Sequence, residues 1–262
     1  MRVVALIQAR MGSSRLPCKM MLSLRGMPII DWVVKRTAAS RLLHRIIVAT
    51  STEPSDDPLA VHLQEQGVEV FRGPEDDVLK RFRLAAEGTG ATHLVRICAD
   101  NPLIWGGEID HLIRHYQECL ARKKQNPSTI MPDAKTLYAY NHIPRGNLYP
   151  DGLGAEMIAW PLLRFLDETA QAPEHREHCL SYIWDNPHAF VISTFDPPDA
   201  SLRHPEIKLD MDTPEDYRKL ALMPLHVGMP PAEVIRMTLA QSVENTPIEN
   251  ASPACFGAER KR

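Results

Sequence analysis

The chain has no long apolar run. Its uninterrupted hydrophobic stretches fall well short of the roughly 18 residues that a membrane-spanning helix needs, so no membrane partner is expected. It also lacks a basic surplus. Thirty Lys and Arg stand against 33 Asp and Glu, a net charge of −3, whereas a general nucleic-acid surface needs an excess of cations. No nucleic-acid partner is expected, although local cations can still hold a small anion. Cysteine is sparse. Cys18, Cys98, Cys119, Cys179 and Cys255 are odd in number and form no CxxC. That spacing carries no zinc-site signal and fits reduced thiols in a cytoplasm. A signal peptide is not expected, because Gln8 and Arg10 interrupt the first apolar stretch too early.

What is present suffices for a core. The 262 residues are 44% hydrophobic, the content of one large domain or one domain with a substantial insertion. The first half alternates strand-like and helix-like segments. VVALIQA (residues 3–9), RIIVATS (45–51), VEVFRG (68–73) and THLVRICADNP (92–102) read as strands. Helices are expected over PIIDWVVKRTAAS, DPLAVHLQEQG, DDVLKRFRLAAEGTG and GGEIDHLIRHYQECLARKK. Such alternation predicts an α/β fold with a mostly parallel sheet and right-handed crossovers. In these sheets, ligands lie beyond the carboxyl ends of the strands. Arg10, Ser51, Arg72 and Asp100 fall at or just past such ends.

The pattern weakens over about 125–158, a stretch rich in Pro, Asn, Tyr and Gly that reads as an insertion of loops and short strands. Helices are expected again at Trp160–Ala170 and at His175–Asn186, with a strand over Ala189–Phe195. IKLDMDTPEDYRKLALM then reads as strand, turn and helix, and PPAEVIRMTLAQS as a last helix. A single domain is expected to span 1–243, with 244–262 as a mobile tail.

The first strand opens onto RMGSSRLPCKM, which joins the small residues Gly12, Ser13 and Ser14 to the cations Arg10, Arg15 and Lys19. Small residues let backbone N–H groups approach phosphate oxygens, and Arg and Lys neutralise them. A solvated basic loop is the plain alternative. Asp100, in ADNP, is placed to hold Mg²⁺, which takes one or two carboxylates plus phosphate oxygens; an Asp-Asn-Pro turn is the alternative. Asp210 and Asp212 share a face if their segment is extended. Thr213-Pro214-Glu215-Asp216 is a good helix start, which accounts for the last two acids but not for Asp210. Asp151, Gly152 and Glu156 read either as an acceptor-binding edge or as a Pro-Asp-Gly turn before a strand. His175 and His178 stand at i, i+3 without a third ligand, which favours a solvated or substrate-facing surface over zinc. Arg72 and Asp77 sit where a strand meets a helix, to contact a base or ribose or to cap the helix.

Taken together, IQARMGSSRLPCK, FRGPEDDVLKRF, RICADNPLI, YPDGLGAE, REHCLSYIWDNP and LDMDTPEDY resemble, in order, the signatures of the cytidylyltransferase family that activates acidic sugars. The likeness runs from Arg2 to about Leu222. It is nearest to the branch of the spore-coat polysaccharide biosynthesis protein F group, and more distant from CMP-KDO synthetase. The resemblance implies a Rossmann-like nucleotidyltransferase three-layer sandwich with a small inserted β element, often a homodimer, using CTP and Mg²⁺. It implies that Gln8, Ala9, Arg10, Met11, Gly12, Ser14, Arg15 and Lys19 bind the nucleotide, with Arg72 and Asp77 near the cytosine and ribose. Asp100 and Asp212 would be the metal ligands, and Lys19, Arg15 and Asp100 would carry catalysis. Asp151, Glu156, Arg176 and His178 match positions facing the acceptor. Cys18 stands where the family has glycine before Lys19, and Asn101 where relatives carry cysteine or glutamate.

The expected reaction is transfer of CMP from CTP to a sugar-type acceptor with release of pyrophosphate, in precursor synthesis for surface polysaccharide. A nucleotide-sugar-dependent glycosyltransferase and a non-catalytic nucleotide-binding module are the rival readings. The triphosphate cradle speaks against the first, and the retention of both Asp100 and Asp212 against the second.

Overall fold

The computed structural model describes residues 1–125 and 136–244. The central strand, β1 (Val3–Gln8), is apolar up to Gln8 and buried on both faces, as parallel strands covered by helices require. A two-stranded hairpin follows, β2 (Ser23–Leu24) with β3 (Met27–Pro28), and leads into α1 (Ile29–Thr37). Three more strands run parallel beside β1: β4 (Arg45–Ser51), β5 (Glu69–Gly73) and, on the other flank, β6 (His93–Cys98). Their crossovers carry α2 (Asp57–Glu65) and α3 (Val78–Ala86), and α4 (Gly106–Gln125) follows β6. The four segments read as strands and the four read as helices in the first half are all present.

The inserted β element expected over about 125–158 takes the form of additions to the main sheet. β7 (Leu137–Tyr140) and β8 (Glu156–Ala159) join it, with β8 antiparallel to both β6 and β7. Residues 126–135 of that stretch lie outside the described residues, as does the tail from 245 onward. α5 (Trp160–Thr169) forms as expected. The helix expected at His175–Asn186 is instead two short helices, α6 (Pro173–Glu177) and α7 (Ser181–Asp185), which meet at a bend at His178. Arg176 anchors α6 to Asp77 at the start of α3 and to Asp167 on α5, and the chain turns immediately beyond this anchor. β9 (Val191–Ser193) pairs parallel with β7. The strand expected at the head of IKLDMDTPEDYRKLALM is only a single bridge, Asp151 with Lys208. α8 (Pro214–Leu222) starts with a capping box between Thr213 and Asp216, and α9 (Pro231–Glu244) ends the described chain.

The sheet order is β5-β4-β1-β6-β8-β7-β9. Alternation along β1 splits the core. Val3, Ala5 and Ile7 pack with α1, α2 and α4, whereas Val4 and Leu6 pack with α3 and α5. The chain runs outward from β1 through β4 to β5, then crosses back to β6 on the other side of β1. The switch point therefore lies between the carboxyl ends of β1 and β6, where Gln8 pairs with Cys98.

Candidate active site

A cavity of about 420 Å³ opens at this switch point. The β1 exit supplies Gln8, Ala9 and Arg10, and the loop beyond it Gly12, Ser14, Arg15 and Lys19. The β6 exit supplies Asp100, the Asp210–Thr213 turn supplies Asp212, and the bend after α6 supplies His178. Ten of the residues expected in the site thus line one space. Ser13, Met20, Arg96, Cys98 and Ala99 line it as well. A larger groove of about 610 Å³ runs between α3 and α5. It lies on the helical flank, away from the strand ends, and its Arg83 and Asp167 neutralise each other at 2.6 Å.

The centre of the cavity is a charge cluster. The Lys19 side chain is buried, and its ammonium donates to the Met211 carbonyl at 2.9 Å. The same nitrogen lies 3.5 Å from Asp100 and 3.6 Å from Asp212. Arg15 reaches Asp212 at 3.0 Å. The Met211 N–H donates to the Asp100 carbonyl at 2.8 Å, so the two acidic segments are held together through the backbone. Among the described residues no group of three or more His, Cys, Asp or Glu gathers as a metal cage. Two converging, part-exposed carboxylates are instead a donor set that fits Mg²⁺, which completes its shell with phosphate oxygens and water.

Asp210 faces a different environment from Asp212. Burial, together with the nearby Asp151 charge, pushes its carboxyl up to about 6. Lys208 lies 3.5 Å away, and the Asp210 Oδ1 has no hydrogen-bond partner among the described residues. Gly152 makes this packing possible. Its φ is +87°, and a Cβ there would stand 2.6 Å from the Asp210 nitrogen. The Asp-Gly pair seats its segment against the Asp210–Thr213 turn, with backbone bonds from Asp151 to Ile207 and from Leu209 to Asp151.

The cradle loop is set by two features. Cys18 has φ 56°, in the left-handed region, which explains why glycine suits this position. An L-residue there costs roughly 1–2 kcal/mol, partly offset by the greater chain entropy that glycine loses on folding. Cys18→Gly is therefore expected to raise stability by up to about 1 kcal/mol, read as a higher thermal midpoint with the cradle intact; a lower midpoint would refute the strain.

Asp56 is the second feature, and sequence reading missed it within an ordinary-looking helix start. Its buried carboxylate accepts from the Met11 N–H at 2.7 Å, from the Thr50 hydroxyl at 2.9 Å, and from the Ser51 N–H and hydroxyl at 3.0 and 2.5 Å. Burial alone would raise its pKa, but the bonds from Ser51, Met11 and Thr50 outweigh it and hold the carboxyl below its usual range. A depressed pKa stabilises the fold above the unfolded value near 4, and that stability is lost as pH falls through the folded value. Asp56→Ala is expected to cost about 1–3 kcal/mol at pH 7 and to flatten the decline of the thermal midpoint below about pH 4. An unchanged midpoint at pH 7 would count against the role.

Other expected site residues are placed differently. Met11 meets the network through its backbone N–H. Arg72 donates to the Ser51 and Glu53 carbonyls and pairs with Asp57 at 2.6 Å. Asp77 caps α3 by accepting from the Lys80 N–H at 2.9 Å and pairs with Arg176 at 2.8 Å. Arg176 also pairs with Asp167 at 2.6 Å, so in this structure its charge is used in joining α3, α5 and α6. Arg10 pairs with Glu177 at 3.2 Å, which draws the cradle toward α6.

Glu156 is almost fully buried. Its Oε2 pairs with Arg96, and its Oε1 accepts from the Tyr138 hydroxyl at 2.6 Å. Burial would raise its pKa, but the Arg96 charge holds it below the usual range. Arg96 in turn donates to the Gln8 side-chain oxygen from Nε at 3.3 Å and from Nη2 at 3.0 Å. The signal for Arg96 was available in the sequence as a lone cation inside the apolar strand LVRIC.

A switch-point cavity with a phosphate-type cradle and two converging carboxylates defines a Rossmann-like nucleotidyltransferase. The cytidylyltransferase family model matches residues 4–141, more than half of the chain. An uncharacterized protein of Methanocaldococcus jannaschii is 31% identical over 218 residues, covering 83% of this chain and 81% of its own. Spore coat polysaccharide biosynthesis protein SpsF of Bacillus subtilis is 28% identical over 235 residues, covering 87% and 89%. The solved structure of a cytidylyltransferase from Leptospira borgpetersenii superposes with a TM-score of 0.77 at 26% identity, over 95% of this chain and all of that one. The chain belongs to the cytidylyltransferase family and is a CTP-dependent nucleotidyltransferase. No described helix is long and apolar enough to cross a membrane.

Proposed function

We propose that the protein transfers CMP from CTP to a hydroxyl of a sugar-type acceptor, such as an acidic sugar or sugar phosphate, in the synthesis of precursors for surface polysaccharide or glycoconjugate. The observation that carries this reading is the convergence of Lys19, Asp100 and Asp212 beside the Arg10–Lys19 cradle in one cavity. The acceptor hydroxyl oxygen forms a bond to the α-phosphorus as its proton passes to solvent, the bond from that phosphorus to the bridging oxygen breaks, and pyrophosphate leaves with the electron pair. Side chains have little covalent work in such a transfer; they position the groups and neutralise charge. Arg10, Arg15 and Lys19 would hold the triphosphate oxygens, with the small residues Gly12 and Ser14 allowing close backbone approach. Mg²⁺ held by Asp100 and Asp212 would supply charge neutralisation at the phosphate and acidify the attacking hydroxyl. His178 would face the acceptor from the bend after α6, and Asp151 from the turn at Gly152. The resemblance extends the reading to a homodimer in the cytoplasm.

The test is pyrophosphate release from CTP and Mg²⁺ across a panel of acidic sugars, sugar phosphates and phosphonates. Release that depends on one acceptor class, with UTP and ATP inactive, supports the proposal. CTP binding without release on any acceptor would favour a binding module instead. Transfer of sugar from a nucleotide sugar would favour a glycosyltransferase.

A further inference from the structure

Gln8 ends β1 at the middle of the switch-point crevice, paired in register with Cys98, two residues before Asp100. Its side chain carries an acceptor oxygen at one end and a donor nitrogen at the other. Which end points where is settled by its neighbour. A guanidinium only donates, and Arg96 directs both Nε and Nη2 at the same Gln8 atom, at 3.3 and 3.0 Å. That atom is therefore the oxygen, and the amide nitrogen is left with two N–H groups. Gln8 lines the cavity, and its nitrogen has no hydrogen-bond partner among the described residues.

Arg96 is itself held. Its Nη1 pairs with the Glu156 Oε2, and the other Glu156 oxygen accepts from the Tyr138 hydroxyl at 2.6 Å. Tyr138 and Glu156 are buried at 0% and 3% exposure, so neither has water as a competing partner. Tyr138 and Arg96 both donate to Glu156, and Arg96 also donates to Gln8; each member thus fixes the next, and the last one ends in a free donor. Buried networks of this kind fix orientation when every member is satisfied.

We infer that Gln8 presents its amide N–H groups to an oxygen acceptor of bound CTP, and that Tyr138, Glu156 and Arg96 are positioning residues that hold it in that orientation. The nucleotide is the partner because Gln8 runs directly into Ala9 and Arg10 of the cradle and faces the crevice at the carboxyl ends of β1 and β6, where ligands lie in this class of sheet. Glu156, expected to face the acceptor, acts here through Arg96. The inference rests on the CTP reading above.

Calorimetric titration with CTP and Mg²⁺ tests it without an acceptor. Gln8→Leu is expected to weaken CTP about tenfold, the order of one lost hydrogen bond. Gln8→Glu keeps a partner for Arg96 but turns an oxygen toward the nucleotide, and should bind more weakly still. Arg96→Lys can satisfy Glu156 but cannot also fork onto Gln8, and should match the Gln8→Leu loss. In the double variant Gln8→Leu with Arg96→Lys, the two losses should not add, whereas a merely structural role for Arg96 would add its own. Wild-type affinity in both Gln8 variants overturns the inference, as does full additivity in the double variant. Thermal midpoints identify any variant that fails to fold, and the part-exposed Gln8 pair still decides the matter if Arg96→Lys does. Failure of the wild-type protein to bind CTP would instead overturn the underlying functional reading.

Discussion

Lys19→Ala is expected to lower turnover roughly 10²–10³-fold, the usual cost of removing a preorganised charge stabiliser. The expectation follows from where the ammonium is. It is buried, fixed by the Met211 carbonyl at 2.9 Å, and placed between two carboxylates at 3.5 and 3.6 Å. A charge held so firmly loses little by reorganising when phosphate charge develops beside it. Arginine should not replace it, because a planar fork cannot take the place of a point donor with these three partners. The loss should appear in the rate of pyrophosphate release at saturating CTP, and not only as a weaker apparent affinity. Lys19→Ala with unchanged turnover would remove Lys19 from the catalytic set. A loss confined to the Michaelis constant would reduce it to a binding residue.

Periodicity made most of this architecture readable. β1 is a run of apolar residues ending in Gln8, and α3 repeats Val78, Leu79, Phe82, Ala85 and Ala86 on one buried face. Signals of that kind carry fold class because burial on one or both faces dictates them. β7 and β8 were harder. Each has only four residues, all buried, so neither has the polar alternation that marks a strand's bounds, and they lie in a stretch that reads only as loops and short strands. The bend at His178 was not readable, because no proline or glycine marks it and the ion pairs that anchor α6 join residues distant in sequence. That Arg10, Gly12, Ser14, Arg15 and Lys19 share one cavity was readable because these cations and small residues are close in sequence.

The supports of the site were not readable, and the reason is the same throughout. Asp56, Arg96 and Glu156 reach Met11, Gln8 and Tyr138 only after strands pair. Long-range hydrogen bonds leave no periodic trace. Their one local sign is a polar residue in an apolar setting, and a single such residue does not say whether it lines a cavity or supports one that does. Cys18 shows the converse. Its place before Lys19 was visible at once, and its φ of 56° lies in the left-handed region that glycine adopts most easily.

Asp100→Asn is expected to abolish Mg²⁺-dependent turnover, a loss of roughly 10³-fold or more if metal assistance supplies several kcal/mol. The amide keeps the shape of the side chain and removes the anionic oxygen that a hard cation prefers. It also leaves Lys19 with Asp212 as its remaining nearby carboxylate, so the site becomes more positive and repels the metal further. Asp212→Asn should have a similar effect, and it additionally frees Arg15 from its 3.0 Å pair. Binding gives a second readout independent of turnover. Mg²⁺ should tighten CTP on the wild-type protein, and that tightening should vanish in Asp100→Asn while metal-free CTP binding is retained or improved, since one negative charge near the phosphates is gone. Asp210→Asn is the internal control. Its carboxyl faces Lys208 and Asp151 and does not line the cavity, so the Mg²⁺ effect should persist there. Full Mg²⁺-dependent activity in Asp100→Asn would remove the metal assignment. A Mg²⁺ effect lost in Asp210→Asn but kept in Asp212→Asn would move the second ligand by two residues.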